Sequence, residues 1–350
     1  MRCLVTGGAG FIGSNLVHYL IGLGHEVLNL DALTYAGNEN SLSDLRTNSL
    51  YSFRRLDIAS SPELDSVFDG FQPECVIHLA AESHVDRSID GPGQFIETNI
   101  VGTFRMLQAS LGYRRKLTGE KGDSFRFLHV STDEVFGSLG PTGFFSESTP
   151  YDPHSPYSAS KAASDHLVRA WWHTYGLPVL ITNCSNNYGP YQFPEKLIPV
   201  VILKCIREEP IPVYGKGENV RDWLYVLDHC KAIETVLTKG KIGETYTVGG
   251  NNEMKNIDLV RKLCGVMDRL RPRSGNQRYE ELITYVSDRP GHDMRYAIDS
   301  SKLKRELGWV PDDNHEGLFN ETVKWYLDHE DWWKSILSGD YKLQRQGLVG

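Results

Sequence analysis

Short apolar runs alternate with longer amphipathic segments through the first half of the chain. Four runs have the length and composition of buried strands: residues 2–5, 26–30, 74–79 and 125–130. Segments 15–23 and 99–111 place their apolar residues at helical spacing. Strands that alternate with helices predict an α/β fold with a doubly wound parallel sheet of the Rossmann type.

The pattern changes at about residue 188, where prolines begin to interrupt the chain: Pro190, Pro194, Pro199, Pro210 and Pro212. We expect a dinucleotide-binding domain over 1–187 and a smaller, mainly substrate-binding domain over 188–350. Residues 222–237 again indicate a strand or turn followed by a helix, so the chain is expected to return to the first domain near 221–237. Residues 338–350 are polar with little periodicity, and their end is expected to be mobile.

Composition narrows the classes of partner. With 40% hydrophobic and 23% charged residues, the 350-residue chain has the composition of a folded globular protein. A formal net charge of -8 gives no basic face for nucleic acid. No apolar stretch is long enough for a bilayer, and the N-terminus lacks a signal-peptide pattern. The six dispersed cysteines predict reduced thiols in a cytoplasmic protein, and the twelve histidines lack metal-ligand spacing, so we expect no metal.

A glycine loop follows the first strand. Gly7, Gly10 and Gly13 let the backbone turn tightly and lie against a pyrophosphate at the start of a helix. The second strand ends in Asp31, at the distance expected for a carboxylate that binds an adenosine ribose. No arginine follows at once to hold a 2′-phosphate, which favours NAD over NADP. Asp57 is equally suited to an adenine contact and to a helix cap.

Tyr157 and Lys161 lie four residues apart in a predicted helix. Ser155 can cap this helix, Pro156 suits its first position and Gly176 its end. The two side chains therefore share a helical face. A tyrosine titrates at about pH 10, and a nearby ammonium together with a positive nicotinamide ring would favour its phenolate. Taken alone, the same spacing also fits a surface pair.

Asp133 and Glu134 are adjacent in a loop after the strand at 125–130. Two neighbouring carboxyl groups can serve as separate acid and base if their environments pull their pKa values apart. A solvated acidic turn is the simpler alternative.

With the glycine loop and the Tyr157–Lys161 spacing in one order, the chain resembles the extended short-chain dehydrogenase/reductases over nearly its whole length. Residues 129–137, HVSTDEVFG, resemble the signature of nucleotide-hexose 4,6-dehydratases, whereas related sugar epimerases carry a small hydroxyl residue in place of the acidic pair. Further segments carry the same resemblance: 34–38, 79–86, 183–190, 193–197 and 288–293.

The resemblance implies site residues beyond those already named. Cofactor contacts are expected from Phe11, Ile12, Leu33, Thr34, Tyr35, Ile58, Leu79, Ala80, Ala81, Ser83, Thr98 and Asn187. Substrate contacts are expected from Ser83, Thr132, Asp133, Glu134, Asn186, Lys196, Leu197, Pro212, Tyr214, Arg221, Asn251, Arg289 and His292. Arg221 and Arg289 are also suited by chemistry to bind phosphate, although isolated arginines are commonly solvated.

The implied activity is an NAD-dependent, redox-neutral loss of water from a nucleotide hexose. Tyr157 would take the O4 proton, tuned by Lys161, with Thr132 orienting O4. Glu134 would remove the C5 hydrogen, and Asp133 would protonate the departing O6. The expected substrate is dTDP-glucose, with UDP-, CDP- or GDP-linked sugars and a sugar epimerase as alternatives.

The resemblance also implies a homodimer that pairs helices into a four-helix bundle. Segment 99–111 and the helix bearing Tyr157 are the candidates. Trp171 and Trp172 can fill such an interface, and a core within the chain is an equally ordinary use of them.

Overall fold

Residues 1–288 and 291–338 are described by the structure, a computed structural model. Arg289 and the chain end at 339–350 lie outside the described residues. The helices are α1 Phe11–Gly22, α2 Leu64–Phe71, α3 Val85–Asp90, α4 Pro92–Phe95, α5 Thr103–Lys116, α6 Glu120–Ser124, α7 Pro156–Tyr175, α8 Leu197–Arg207, α9 Val226–Lys239, α10 Asn256–Leu270, α11 Ser301–Leu307, α12 His315–Asp328 and α13 Glu330–Ser338. Short 3₁₀ turns cover Glu39–Leu45, Asp133–Phe136, Ser274–Asn276 and Tyr279–Leu282.

A seven-stranded sheet forms the larger layer. The strands of the chain are β1 Arg2–Thr6, β2 Glu26–Asp31, β3 Tyr51–Arg55, β4 Cys75–His78, β5 Arg126–Thr132, β6 Val179–Cys184, β7 Asn186–Tyr188, β8 Ile211–Tyr214, β9 Val220–Tyr225, β10 Thr245–Val248, β11 Glu253–Lys255 and β12 Ile283–Val286. The large sheet has the order β10-β6-β5-β4-β1-β2-β3, and every neighbouring pair is parallel. The predicted Rossmann-type fold is confirmed.

Helices cover both faces of this sheet. On one face, Leu16 of α1 and Val236 of α9 pack in the same core as Leu128 of β5. On the other face, Met106 of α5 and Val168 of α7 share a second core. Because both faces are covered, the central strands are apolar almost throughout, which is why they could be predicted as continuous runs.

Two predicted helices differ at their starts. The helix expected at 15–23 begins at Phe11, because Gly10 caps it and the glycine loop supplies its first turn. The segment expected as a helix at 99–111 begins with a π-type turn, Ile96–Gly102, before α5. By contrast, α7 has the predicted ends: Ser155 forms a capping box, and Gly176 closes the helix at φ 67°.

The remaining strands form two small sheets beside the large one. The order β11-β9-β7 gives one, and β8 pairs with β12 in the other. Helices α8, α10 and α12 cover them with a separate core that includes Ile198, Val260 and Phe319. Between these strands the chain returns to the large sheet, where α9 packs against α1 and β10 adds an edge strand. A domain boundary after residue 187 stays a prediction.

None of the helices in the described ranges is long and apolar enough to cross a membrane.

Candidate active site

The glycine loop is held by backbone contacts at the carboxyl end of β1. Gly7 has φ 74°, and its N–H donates to Leu30 O at 2.8 Å. A Cβ on Gly7 would lie 2.7 Å from Ala80 N, and a Cβ on Gly13 would lie 2.1 Å from Gly7 O. Both obstacles are backbone atoms, which cannot move aside. The loop therefore keeps a cradle of main-chain atoms at the N-terminus of α1, which suits a pyrophosphate.

Asp31 ends β2 beside this loop. Its carboxylate accepts the N–H groups of Ala9 at 2.9 Å and Leu33 at 2.8 Å. Burial raises the pKa of Asp31, while these two bonds oppose the rise. Asp57 accepts Ala59 N at 2.9 Å and so caps a turn, whereas its alternative prediction was a helix cap. Asp57 also lines the cleft described next, and its contact with adenine stays a prediction.

A cleft of about 320 Å³ runs along the carboxyl edge of the large sheet. Its walls include most of the predicted site residues: Gly7, Gly10, Phe11, Ile12, Gly13, Asp31, Thr34, Asp57, Ile58, Leu79, Ala80, Ala81, Ser83, Thr98, Thr132, Asp133, Glu134, Tyr157, Lys161, Asn186, Asn187 and Lys196. The glycine loop, the acidic pair and the Tyr157–Lys161 face thus meet in one space.

Helix α7 brings Tyr157 and Lys161 to the cleft. Tyr157 is 8% and Lys161 4% exposed. The Lys161 ammonium donates to Val130 O at 2.9 Å, which fixes it against the end of β5. Burial lowers the pKa of Lys161 to about 8.

Burial also acts on Tyr157, and here it opposes the effect expected from the sequence. Burial of the phenol raises the pKa of Tyr157 well above its usual value, and the charge of Glu134 raises it further. The surrounding protein by itself thus favours the neutral phenol. A phenolate requires positive charge brought close to the ring.

The acidic pair follows β5 in a 3₁₀ turn. Thr132 caps this turn: its hydroxyl accepts Glu134 N at 3.2 Å and donates to Asp133 Oδ1 at 3.3 Å. Asp133 is 2% exposed, and its Oδ2 has no hydrogen-bond partner among the described residues. Burial, then the charge of Glu134, raises the pKa of Asp133 well above its usual value. Burial therefore favours the protonated form of Asp133, and its Oδ2 is the oxygen left over to carry the proton.

A cluster of side chains forms part of the cleft wall. We call this cluster the junction, and it consists of Tyr35, residues 82–87 and residues 195–196. Glu195, with 2% of its side chain exposed, accepts Tyr35 OH at 2.9 Å and Arg87 Nε at 3.3 Å. The Arg87 guanidinium lies 3.6 Å from the centre of the Tyr35 ring. Lys196 Nζ donates to Ser83 O at 3.1 Å.

Other predicted site residues lie outside the walls of this cleft. Leu197 starts α8, and Pro212 and Tyr214 belong to β8. Arg221 is buried and donates to Val220 O at 2.8 Å and Asp293 O at 2.9 Å.

The last two of this group lie on turns. Asn251 is exposed in a left-handed turn at φ 52°. His292 pairs with Asp288 at 2.6 Å.

Residues that escaped the sequence analysis include Glu195 in the cleft wall and Asn99 behind it. Glu195 lines the cleft. Its segment, residues 193–197, was part of the family resemblance, but only Lys196 and Leu197 were predicted to contact the substrate. Asn99 holds the cleft together from behind: its amide donates to Glu82 O at 3.0 Å and Ser160 Oγ at 2.8 Å and accepts Glu82 N. A polar residue in a run of otherwise helical spacing was the available signal for Asn99. Within 1–288 and 291–338, no group of three or more His, Cys, Asp or Glu side chains has the geometry of a metal site.

Comparison with known proteins places the chain in a family. Residues 4–322 match the family model described as GDP-mannose 4,6 dehydratase. A dTDP-glucose 4,6-dehydratase from Xanthomonas campestris pv. campestris is 59% identical over 346 residues, which cover 99% of both chains.

Solved structures agree with this placement. A dTDP-glucose 4,6-dehydratase from Bacillus anthracis, in complex with NAD, superposes with a TM-score of 0.85 at 43% identity and covers 96% of this chain and 99% of its own. A UDP-glucose 4-epimerase from Thermotoga maritima gives 0.83 at 28% identity, over 94% of this chain and 99% of its own. The fold is thus shared with epimerases, while the higher identities go to dehydratases. The chain belongs to the dTDP-glucose 4,6-dehydratases of the extended short-chain dehydrogenase/reductase family.

Proposed function

We propose that the chain is a lyase of deoxysugar biosynthesis that converts dTDP-glucose into dTDP-4-keto-6-deoxyglucose and water, with NAD as its cofactor. The observation that carries the proposal is Asp133, a buried carboxyl group with an unpartnered Oδ2 among the described residues, which lines the same cleft as Glu134, Tyr157 and Lys161. Oxidation alone needs no such pair, whereas elimination of water needs both an acid and a base.

The residues at the glycine loop fit NAD. Main-chain atoms around Gly7 and Gly13 leave no room for side chains, and Asp31 keeps lone pairs for ribose hydroxyls in addition to its two backbone bonds. NAD held by these residues would supply the hydride acceptor for C4 and donor for C6, and the positive charge beside Tyr157 that favours its ionised form.

Tyr157 and Lys161 act at O4. The phenolate of Tyr157 takes the O4 proton as C4 becomes a ketone, and the Lys161 ammonium stabilises the phenolate. Thr132, already bonded to Asp133, orients O4 with its hydroxyl.

Glu134 and Asp133 act next. The C4 ketone acidifies the neighbouring C5 hydrogen, which Glu134 removes as a base. Asp133 gives its proton to O6, so that water departs and a C5–C6 double bond forms. C6 then takes the hydride, and C5 regains a proton from Glu134. The proton that Tyr157 took from O4 replaces, by way of solvent, the proton that Asp133 gave to O6, so the protein returns to its starting state and the substrate loses one water and no net reducing equivalent.

Replacing Glu134→Gln or Asp133→Asn tests this division of roles. Each variant should slow water loss by about 10² relative to C4 oxidation, because a positioned acid or base contributes 10²- to 10⁴-fold. Rapid-quench single turnovers, with products identified by mass, should show a 4-keto-glucose nucleotide before any 6-deoxy product. Asp123→Asn is the matched control, since its side chain is 84% exposed and lies before the amino end of β5.

If both variants lose water at the native rate relative to oxidation, the pair is a polar turn and the dehydratase proposal fails. Substrate choice is tested in the same assay with dTDP-, UDP-, CDP- and GDP-linked glucose. An inverted C4 hydroxyl with no mass change would indicate the epimerase alternative instead.

We also propose a homodimer formed by α5 and α7 in a four-helix bundle. Support comes from exposed apolar side chains, namely Phe104 of α5 at 38%, Tyr175 of α7 at 49% and, in the π-type turn before α5, Ile96 at 47%. Phe104 meets the buried Trp171 edge to face at 5.8 Å, so the two rings can share core and interface. Sedimentation should then give twice the mass of the chain.

The proposed location of the protein is the cytoplasm. Six buried, free cysteines support this location, because cytosolic thiols stay reduced.

A further inference from the structure

One buried carboxylate of α7, the helix that carries Tyr157 and Lys161, has no part in the steps above. Asp165 follows Lys161 by one turn of α7 and is fully buried. Its Oδ2 accepts three hydrogen bonds, from Ser131 Oγ at 2.9 Å, Tyr151 OH at 2.7 Å and Asn183 Nδ2 at 3.1 Å. The donors come from β5, a loop and β6, so three separate elements converge on this one group. Such bonds favour the ionised carboxylate.

His129 lies between this carboxylate and the catalytic lysine. Its Nε2 is 3.3 Å from Asp165 Oδ1 and 3.4 Å from Lys161 Nζ. Burial lowers the pKa of His129 to about 4, so the imidazole is neutral near pH 7. Neither His129 nor Asp165 belongs to the walls of the cleft, whereas Lys161 does.

The Lys161 ammonium needs a counter-charge because it is buried. An isolated buried ion costs several kcal/mol, and an ion of opposite sign offsets that cost. Burial lowers the pKa of Lys161, and the negative charge of Asp165 is the leading influence that raises it. Other titratable or charged groups that face this cluster come from the surrounding elements: His78 of β4, Cys184 of β6, Asp133 and Glu134 after β5, Tyr151, and Arg169 of α7. His78 is neutral, because burial lowers its pKa.

We propose that Asp165 is a positioning residue, whose negative charge lies one side chain away from the ammonium, keeps Lys161 protonated and thereby sets the pH range in which the Tyr157–Lys161 pair works. Asp165 does this without contact to substrate or cofactor. The inference rests on the proposed roles of Tyr157 and Lys161.

Asp165→Asn tests the charge separately from the shape. Asparagine can keep an oxygen acceptor for Ser131, Tyr151 and Asn183, while an amide NH₂ group takes the place of Oδ1 and the negative charge is removed. Loss of that charge favours release of a proton from the Tyr157–Lys161 pair. Both limbs of the pH profile of C4 oxidation should therefore move to lower pH, by about 1 unit, equivalent to a tenfold change in ionisation. Tyr151→Phe is the matched control: it deletes one hydrogen bond to Asp165 but leaves the charge, so the limbs should stay in place.

Limbs that stay in place in Asp165→Asn, with only a uniform loss of rate, would reduce Asp165 to a structural role and overturn the inference. If that variant does not fold, Asp165→Glu carries the test: it keeps the charge and must keep the limbs, and a downward shift would contradict the proposal. Bound NAD, measured after release by heat, should be unchanged in each folded variant. The activity of Tyr157→Phe separates failure of the proposed function from failure of the Asp165 inference. An active Phe variant refutes the proposed function, whether or not the pH profile of Asp165→Asn shifts.

Discussion

The glycine loop and the junction form two parts of the cleft wall through different kinds of contact. At the cofactor end, residues 7–13, the contacts are main-chain atoms: Gly7 N meets Leu30 O, and Gly13 leaves space for Gly7 O. At the junction, the contacts are side chains from three distant segments, which meet at Glu195. A backbone site needs glycines at fixed spacing and is therefore visible in the sequence. A side-chain site needs partners that only the fold brings together.

Gly13→Ala gives the largest expected effect. Its Cβ would lie 2.1 Å from Gly7 O and 2.7 Å from Gly8 Cα, so the loop or the helix must shift. Overpacking against backbone costs up to about 3 kcal/mol, which corresponds to about 100-fold weaker NAD binding if the cost falls on the bound loop. Isothermal titration of cofactor-stripped protein with NAD measures it.

Gly22→Ala is the matched control in the same helix, because nothing lies within 4 Å of its added Cβ. Alanine there should leave NAD binding unchanged. Equal binding by the Gly13 and Gly22 variants would show that the cofactor end does not depend on the close backbone approach.

The same difference explains what the sequence could predict. Strands β1, β2, β4 and β5 were predictable because burial on both faces makes most of their residues apolar. Helix α7 was predictable because its ends use local chemistry, the Ser155 capping box and Gly176 at positive φ. The fold class followed from these local signals.

Other features depend on contacts remote in sequence. The strand order that places β10 beside β6 follows from packing of the whole chain. The Glu195 cluster joins residues 160 positions apart, as in the Tyr35 bond, and no spacing along the chain signals it. The raised pKa of Tyr157 also needed coordinates, since burial outweighs the lysine that the sequence displays.

At the junction, Arg87→Ala should cost about 2 kcal/mol in the free energy of unfolding. Removal of the guanidinium leaves the buried Glu195 with the charge of Lys196 but without its hydrogen-bonded cation. Breaking a buried pair costs about 3–5 kcal/mol. We discount this because Arg87 is 31% exposed, Lys196 remains and Glu195 can take up a proton. Urea unfolding at neutral pH measures the change. Lys116→Ala is the control: its pair with Asp69 is more than half exposed on both sides, so the change should stay within about 0.5 kcal/mol. Equal costs for the two variants would mean that the side chains of the junction do not hold it together.

The smallest effect concerns the pH dependence of the free energy of unfolding, to which the buried neutral His229 of α9 contributes. His229 donates from Nδ1 to Asn187 Oδ1 at 2.9 Å, and burial lowers the pKa of His229 to about 3. Below about pH 6.5 the unfolded chain binds a proton at this site while the folded chain does not, so the free energy of unfolding falls as the pH falls, by at most about 1.4 kcal/mol per pH unit.

His229→Asn keeps a donor for Asn187 and cannot titrate. Chemical unfolding between about pH 6 and pH 4.5 should therefore give a shallower slope for this variant, by about one proton, even if its stability at neutral pH is lower. The exposed His173→Asn should leave the slope unchanged. An unaltered slope in His229→Asn would mean that the ring takes up its proton in the folded protein, and acid stability would then have to be assigned to other buried histidines, such as His78 of β4 and His129 of β5.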